Sequence, residues 1–326
     1  MQAVVIREFG GPAVLNVEAR ADPRAPDGWE LVELRAAGLN WHDCLIRSGV
    51  HAIPLPRIPG ADGAGILRRT REPVLILPSI GWGSDERVPA AGWQILGDKI
   101  DGTYAELVAV PRANVLPLPD GWSFTAGAAL PLAGLTAFRA LFSRGQVRRG
   151  ESVLIRGAGG GVATIATSLA HMAGCRVFVT TSTPLKLEKA KALGAIDGVL
   201  YTESDWPTGI RELSGGRGVD AVIDSVGGSW EDVLATLAPG GRLVSLGASA
   251  SSIGQIAIRD LYLAQKSILG TTMGSPKDFR ALTHLLSEHR HWRPEVDSVI
   301  PLEHASQAHA QMARRTHWGK LVLSIA

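Results

Sequence analysis

A chain of 326 residues, 45% hydrophobic and 20% charged, has the composition of a globular protein and is long enough for two domains with separate cores. Its net charge of +2 makes no electrostatic case for nucleic acid or an anionic membrane surface, and its small basic clusters are scattered as solvated faces are. Two cysteines, Cys44 and Cys175, are too few for a disulfide framework or a four-thiolate metal site.

MQAVVIREFGG shows none of the parts of a signal peptide, which sets a cytoplasmic expectation. The first 120 residues read as β-rich, with strand-like runs at 3–6, 15–19, 29–37, 74–78 and 103–110. Prolines 54, 56 and 59 and the following PGADGAG mark a tight-turn region, and residues 79–102 carry little periodicity. From residue 123 the texture changes. Residues 123–142 have helical spacing, with Ser123 or Thr125 as N-cap. Strands are then expected at 153–155, 176–181, 198–201, 219–226 and 241–247, with helices at 185–194 and 229–237 between them. That alternation predicts a doubly wound parallel sheet, an α/β fold. A strand at 267–272, a helix from Pro276, a strand near Val299, a helix over 303–312 and a strand at 320–325 close the chain. With no linker in the sequence, the last segment is expected to return to the first domain. The charge-free stretches 121–138 and 157–174 are rich in small residues and read as buried helices rather than membrane spans.

The most informative stretch is SVLIRGAGGGVATIATSLAHMAG, residues 152–174. An apolar strand breaks into Gly157, Ala158, Gly159, Gly160 and Gly161 and resumes as an alanine-rich helix ending at Gly174. A helix start of this kind presents unpaired N–H groups to a phosphate, and glycine lets the backbone approach it. Val162 stands where a third glycine would complete GxGxxG, and the fitting spacing is Gly157, Gly160, Ala163. The same residues also suit a plain glycine turn entering a buried helix, so context decides.

That context is a set of motifs in order: AAGLNWHDCLIRSG (36–49), IPGADGAGI (58–66), DGTYAELVAVP (101–111), AALPLAGLTAFRAL (128–141), the glycine loop, IDSVGG (223–228) and GKLVL (319–323). Together they resemble the zinc-independent, quinone oxidoreductase-like branch of the medium-chain dehydrogenase/reductase superfamily. The resemblance implies a GroES-like catalytic domain from residues 1–120 and 266–326 around a Rossmann domain at 121–265. Zinc-using relatives supply Cys, His followed by Glu, and Cys or Asp. Those positions match Asn40, Ala61–Asp62 and about Leu132, and 79–100 lacks the cysteines of a structural zinc lobe. Ala and Leu have no donor atom and an Asn amide is a poor ligand, so no metal is expected.

An NAD-specific Rossmann unit carries a carboxylate about 20 residues after the glycines. Here the strand ends Thr180, Thr181, Ser182, Thr183, and the next carboxylate is Glu188. Together with Lys186 this favours a 2′-phosphate, hence NADPH. The resemblance adds Tyr201 beside that phosphate, and Gly157, Gly159, Gly160, Gly161 and Val162 along the pyrophosphate. Toward the nicotinamide it implies Asn40, Thr136, Gly247, Met273 and Gly274, with Lys320 from the C-terminal Gly-Lys pair. Without a metal to polarise a carbonyl, the chemistry left is hydride transfer to an acceptor that is already electrophilic. Asn40 is the expected catalytic group, donating to the acceptor oxygen or holding the nicotinamide. Trp41, His51 and Leu132 are expected to line an apolar substrate site. His42, Asp43 and His51 are the candidate proton donors. The expected substrate is a small-molecule quinone, with an enone or alkenal, or a non-catalytic crystallin-type NADPH-binding role, as alternatives. The strand at 267–272 resembles the family's dimer-forming edge strand and implies a homodimer.

Overall fold

In the computed structural model, residues 1–203 and 205–326 are described, and they form two units, Met1–Leu135 with Gly274–Ala326, and Thr136–Met273. The first unit is built on a seven-stranded sheet whose central strand, Trp29–Gly38, buries Glu30, Val32, Leu34 and Ala36 in alternation. Pro73–Ile76 and Val115–Pro117 extend the sheet on one side, and Leu107–Pro111 pairs with the first half of the central strand. The C-terminal strand Lys320–Ser324 pairs with its other edge, antiparallel, with Val322 opposite Gly38, and Val296–Pro301 adds beyond it. The hairpin of Gln2–Ile6 with Leu15–Ala19 packs into the same core as Met312 and Leu323, so both chain ends contribute to one hydrophobic cluster.

The glycine-rich stretch expected as a tight turn instead enters the strand Asp62–Leu67. Its small residues Gly63 and Ala64 lie opposite Ala37 and Ala36, and this tertiary pairing overrides a local turn preference. The helix expected over 123–142 is broken into Phe124–Ala129, Pro131–Phe138 and a π-helical turn, Arg139–Arg144. Pro131 has no N–H to continue the first piece, which starts as expected with Ser123 accepting the Ala126 N–H at 3.2 Å. Phe124–Ala129 packs on the central strand and on Asp62–Leu67, and Ser267–Gly270 belongs to the other sheet. The units therefore change over at 135/136 and 273/274 rather than at 120/121 and 265/266.

The second unit holds six parallel strands in the spatial order Ala195–Leu200, Arg176–Thr181, Ser152–Ile155, Val219–Asp224, Leu237–Ser245, Ser267–Gly270. The order reverses between Ser152–Ile155 and Val219–Asp224, which is where open parallel sheets bind ligands at their carboxyl ends. The glycine loop follows the former strand, and IDSVGG spans the end of the latter and the loop after it. Helix Gly161–Met172 buries Ala163 through Ala170. Its buried hydroxyls are satisfied on its own carbonyls, Thr167 to Ala163 at 2.9 Å and Ser168 to Thr164 at 3.3 Å. Thr183 caps Pro184–Ala192 as expected, whereas the short helices Trp206–Leu213 and Ile258–Leu263 are additional to the expected elements. Among the described residues no helix is long and apolar enough to cross a membrane.

Gly38 closes the central strand under the helix Phe124–Ala129. A Cβ there would lie 2.2 Å from the Ala128 carbonyl oxygen, a backbone atom that cannot swing away. Gly38→Ala is expected to destabilise the first unit by about 1–3 kcal/mol, read as a lower urea midpoint; an unchanged midpoint would contradict this packing.

Candidate active site

The residues expected to bind phosphate lie on the second unit. Gly157 and Gly159 have φ of 72° and 130°, and the loop is tied to the neighbouring strand by Gly157 N–H to Thr180 Oγ1 (3.1 Å) and Thr181 Oγ1 to the Ala158 carbonyl (3.2 Å). The helix begins at Gly160 with no side-chain cap, and a Cβ on Gly160 would meet nothing within 4 Å. N–H groups of this helix start therefore remain for an anion in open space. Lys186 comes from the first turn of Pro184–Ala192, and its Nζ lies 3.2 Å from the point where a Gly159 Cβ would sit. An ammonium thus stands over the loop. Val162 is half-buried, and Ala163 is buried in the helix. Ser182 follows its strand directly, and the Tyr201 N–H bonds the Thr181 carbonyl at 3.0 Å, so Ser182, Lys186 and Tyr201 gather at adjacent strand ends. Thr136 Oγ1 is 3.9 Å from Met273 Sδ, both buried, and Gly247 lies beyond the end of Leu237–Ser245.

Arg156, just ahead of the glycines, was no candidate by motif. It is buried and donates from Nη1 to Asp224 Oδ1 (3.1 Å) and to the Gly227 carbonyl (3.3 Å). Asp224 in turn accepts the Val226 N–H at 2.8 Å and Trp230 Nε1–H at 3.1 Å. This pair clamps the glycine loop to the loop after the fourth strand, across the point where the strand order reverses.

On the first unit, Asn40 sits between the central strand and helix Trp41–Ser48. Its Nδ2 donates to Asp62 Oδ2 (2.9 Å) and its Oδ1 accepts from Lys320 Nζ (2.5 Å). Lys320 also donates to Asp62 Oδ2 at 3.2 Å, and Asp62 Oδ1 accepts the Leu132 N–H at 2.7 Å. All four residues are buried. The Asn40 amide, expected to donate to the acceptor oxygen or to hold the nicotinamide, is engaged at both ends inside the protein, with Asp62 and with Lys320. Lys320, expected against cofactor, spends its ammonium on Asn40 and Asp62. Gly274 packs against Leu135 and Asp278 of this unit. Trp41 lies half-buried under the Arg315 guanidinium, 5.3 Å from the ring centroid. His51 is exposed, with its ring 5.6 Å from that of His42.

The candidate proton donors have separate environments. His42 Nε2 is 2.7 Å from Asp98 Oδ1. Burial opposes its protonation, but the Asp98 hydrogen bond and the charges of Asp98, Asp43 and Asp62 outweigh that, so its pKa lies above the ordinary 6.5. Asp98 was missed because it sits in an aperiodic loop far along the chain. Asp43 is fully buried and accepts the Asn40 N–H (2.8 Å) and the Tyr104 hydroxyl (3.2 Å) on Oδ2. Tyr104 Oη is 3.2 Å from His309 Nε2, and His309 Nδ1 is 3.5 Å from Cys44 Sγ. One proton per link orders this chain: Cys44 S–H to His309 Nδ1, His309 Nε2–H to Tyr104, Tyr104 O–H to Asp43. Burial pushes Cys44 up to about 12 and Asp43 up to about 6, and pushes His309 down to about 3.

Two family models match the chain: the alcohol dehydrogenase GroES-like domain over residues 26–120 and the zinc-binding dehydrogenase over 161–288. The rat quinone oxidoreductase is 30% identical over 99% of this chain and 97% of its own. Among solved structures, an NAD-dependent alcohol dehydrogenase superposes with a TM-score of 0.93 at 38% identity, covering 100% of both chains. The Thermus thermophilus quinone oxidoreductase, solved also with NADPH, gives 0.82 at 31% identity, again over 100% of both.

Lys320→Met strands the buried Asp62 carboxylate and is expected to cost about 3–5 kcal/mol in urea unfolding. In an Asp62→Asn background the same change should cost much less; equal costs would mean that the pair is not coupled. The buried chain predicts a masked pH dependence. Asp43, raised from 3.8 to about 6, contributes stability that is lost as pH rises from about 4 to 6. His309, lowered from 6.5 to about 3, contributes stability that is lost as pH falls through the same range. The two slopes oppose each other. His309→Gln should therefore gain stability on acidification from pH 6 to 4 relative to wild type, and Asp43→Asn should lose it, each by at most about 1.4 kcal/mol per pH unit in urea titrations. Parallel pH profiles for all three proteins would refute the assignment.

Proposed function

The chain belongs to the medium-chain dehydrogenase/reductase superfamily, in its quinone oxidoreductase-like branch, and from that premise we propose an NADPH-dependent, zinc-independent reductase of quinones. That it is an NAD(P)-dependent oxidoreductase follows from the family. The observation carrying the choice of NADPH is Lys186 over the glycine loop beside a strand end, Thr181–Ser182, that bears no carboxylate. A carboxylate there would repel a 2′-phosphate; an ammonium and a hydroxyl attract one. This local chemistry outweighs the NAD dependence of the solved alcohol dehydrogenase, which is a property of that protein.

Zinc has no place in the proposal because the residues do not fit it. Ala61 and Leu132 offer no donor atom, and the Asn40 amide is engaged with Asp62 and Lys320. The bound dinucleotide supplies a hydride. On the second unit the start of Gly161–Met172 would hold the phosphates and Thr136 and Met273 are assigned to the nicotinamide; on the first unit Trp41, Leu132 and His51 are assigned to the acceptor. A conjugated acceptor takes up the charge that a metal would otherwise stabilise, so quinones are the first choice and enones the second. Ser267–Gly270 forms one end of its sheet, with strand pairing only to Leu237–Ser245 among the described residues, which supports a homodimer built edge to edge.

Fluorescence titration should give tighter binding of NADPH than of NADH, and Lys186→Ala should weaken NADPH by about tenfold while leaving NADH unchanged. Tighter NADH binding by wild type would overturn the cofactor assignment. NADPH oxidation with 1,4-benzoquinone, 9,10-phenanthrenequinone and small enones ranks the acceptors; turnover of enones alone would replace the quinone reading.

A further inference from the structure

Resting on the reductase reading, we infer that His42, held by Asp98, is the acid that protonates the reduced acceptor, with the exposed His51 as its link to solvent. The reaction needs one proton besides the hydride. Asp43 is poorly placed to give it: fully buried, it caps helix Trp41–Ser48 and receives Tyr104. Asp62 is occupied by Lys320, Asn40 and the Leu132 N–H. His309 is sealed in the core against Cys44 and Tyr104 and held neutral by burial. His42 differs from all of these. Its side chain is 18% exposed and that of Asp98 21%, so the pair sits at the edge of the interior rather than in it.

The geometry assigns the two ring nitrogens. Nε2–H is directed at Asp98 Oδ1 at 2.7 Å, while Nδ1 makes no hydrogen bond among the described residues. A carboxylate on one nitrogen orients the ring and stabilises its charged form, leaving the other N–H to act. The charged surroundings favour that form. Asp98 comes from the loop before the strand Leu107–Pro111, Asp43 from the same helix, and Asp62 from the neighbouring strand; against them stands Lys320, already paired to Asp62. Arg47, on the same helix, acts instead on His309 and Cys44. His51, 5.6 Å away between ring centroids, adds a second imidazole on the exposed side.

The step balances. Hydride addition carries two electrons and one hydrogen to the acceptor and leaves an oxyanion on it. The His42 Nδ1–H bond breaks as the acceptor O–H bond forms. His42 is left neutral with Nε2–H still on Asp98, and regains a proton from water by way of His51. A quinone leaves as the quinol and an enone as the saturated carbonyl by way of its enol.

Turnover of 1,4-benzoquinone and a small enone with NADPH, measured against pH, tests the assignment in wild type, His42→Gln, His42→Ala and Asp98→Asn. Wild-type kcat should fall on the alkaline side as the imidazolium is lost. His42→Gln should lose about 100-fold or more in kcat together with that limb, at unchanged NADPH affinity. Added imidazole should restore part of the His42→Ala rate, which a purely structural role would not allow. Asp98→Asn should move the limb to lower pH. Wild-type turnover matched by His42→Gln, with the same alkaline limb, would overturn this assignment and leave the reductase reading intact; a wild type inactive on every acceptor would overturn both. An NMR titration of His42 without substrate should show a pKa above 6.5 that drops in Asp98→Asn, and an equal value in the two proteins would count against the dyad.

Discussion

A buried carboxylate shared by Lys320, Asn40 and the Leu132 backbone is the constraint on which the first unit depends. Asp62 has no access to water, so its charge is tolerable only while all of these donors are in place. They come from three separate parts of the chain: the junction after the central strand, the start of the second helix that follows residue 120, and the C-terminal strand. Satisfying one carboxylate thereby sets the register of the sheet and fixes the start of helix Trp41–Ser48. That helix start carries His42, Asp43 and Trp41, so the same ion pair that holds the fold also orients the groups with chemistry to perform.

The second unit answers a different electrostatic demand. In the proposed role an anion arrives at its uncapped helix start, beside a loop shaped by positive-φ glycine. The loop stays fixed without a bound anion because Thr180 and Thr181 tie it to the next strand and Arg156 ties it to Asp224. Rigid tethering and unsatisfied donors occur side by side, as a preorganised binding site requires.

Burial also sorts the titratable groups of the first unit by role. Asp43 and His309 sit in one hydrogen-bond chain, displaced in opposite directions, and serve the core. His42 lies one residue from Asp43 but at the margin of the same core, where Asp98 can charge it and solvent can reach it. Adjacent positions on a helix point about 100° apart, and that difference in surroundings separates a structural acid from a proton donor.

Local order was legible where a single segment carries its own signal. The strand–glycine–helix unit, the carboxylate-free strand end, the Thr183 cap and the alternation behind the parallel sheet all follow from neighbouring residues, because period, turn chemistry and capping act over a few positions. Asp62–Leu67 was unreadable as a strand, since its Asp, glycines and alanine favour turns until Ala36 and Ala37 pair with them. The roles of Asn40 and Lys320 were equally hidden. A lysine opening a strand looks solvated in sequence, yet this one reaches a side chain 280 residues earlier and a buried carboxylate. Asp98 had no signal at all. The sequence by itself determined the dinucleotide-binding half, whose chemistry is backbone geometry written in consecutive residues. Tertiary structure alone decided which carboxylates would be buried, paired or placed beside a histidine, because desolvation and Coulomb energy depend on neighbours in space and not on neighbours in the chain.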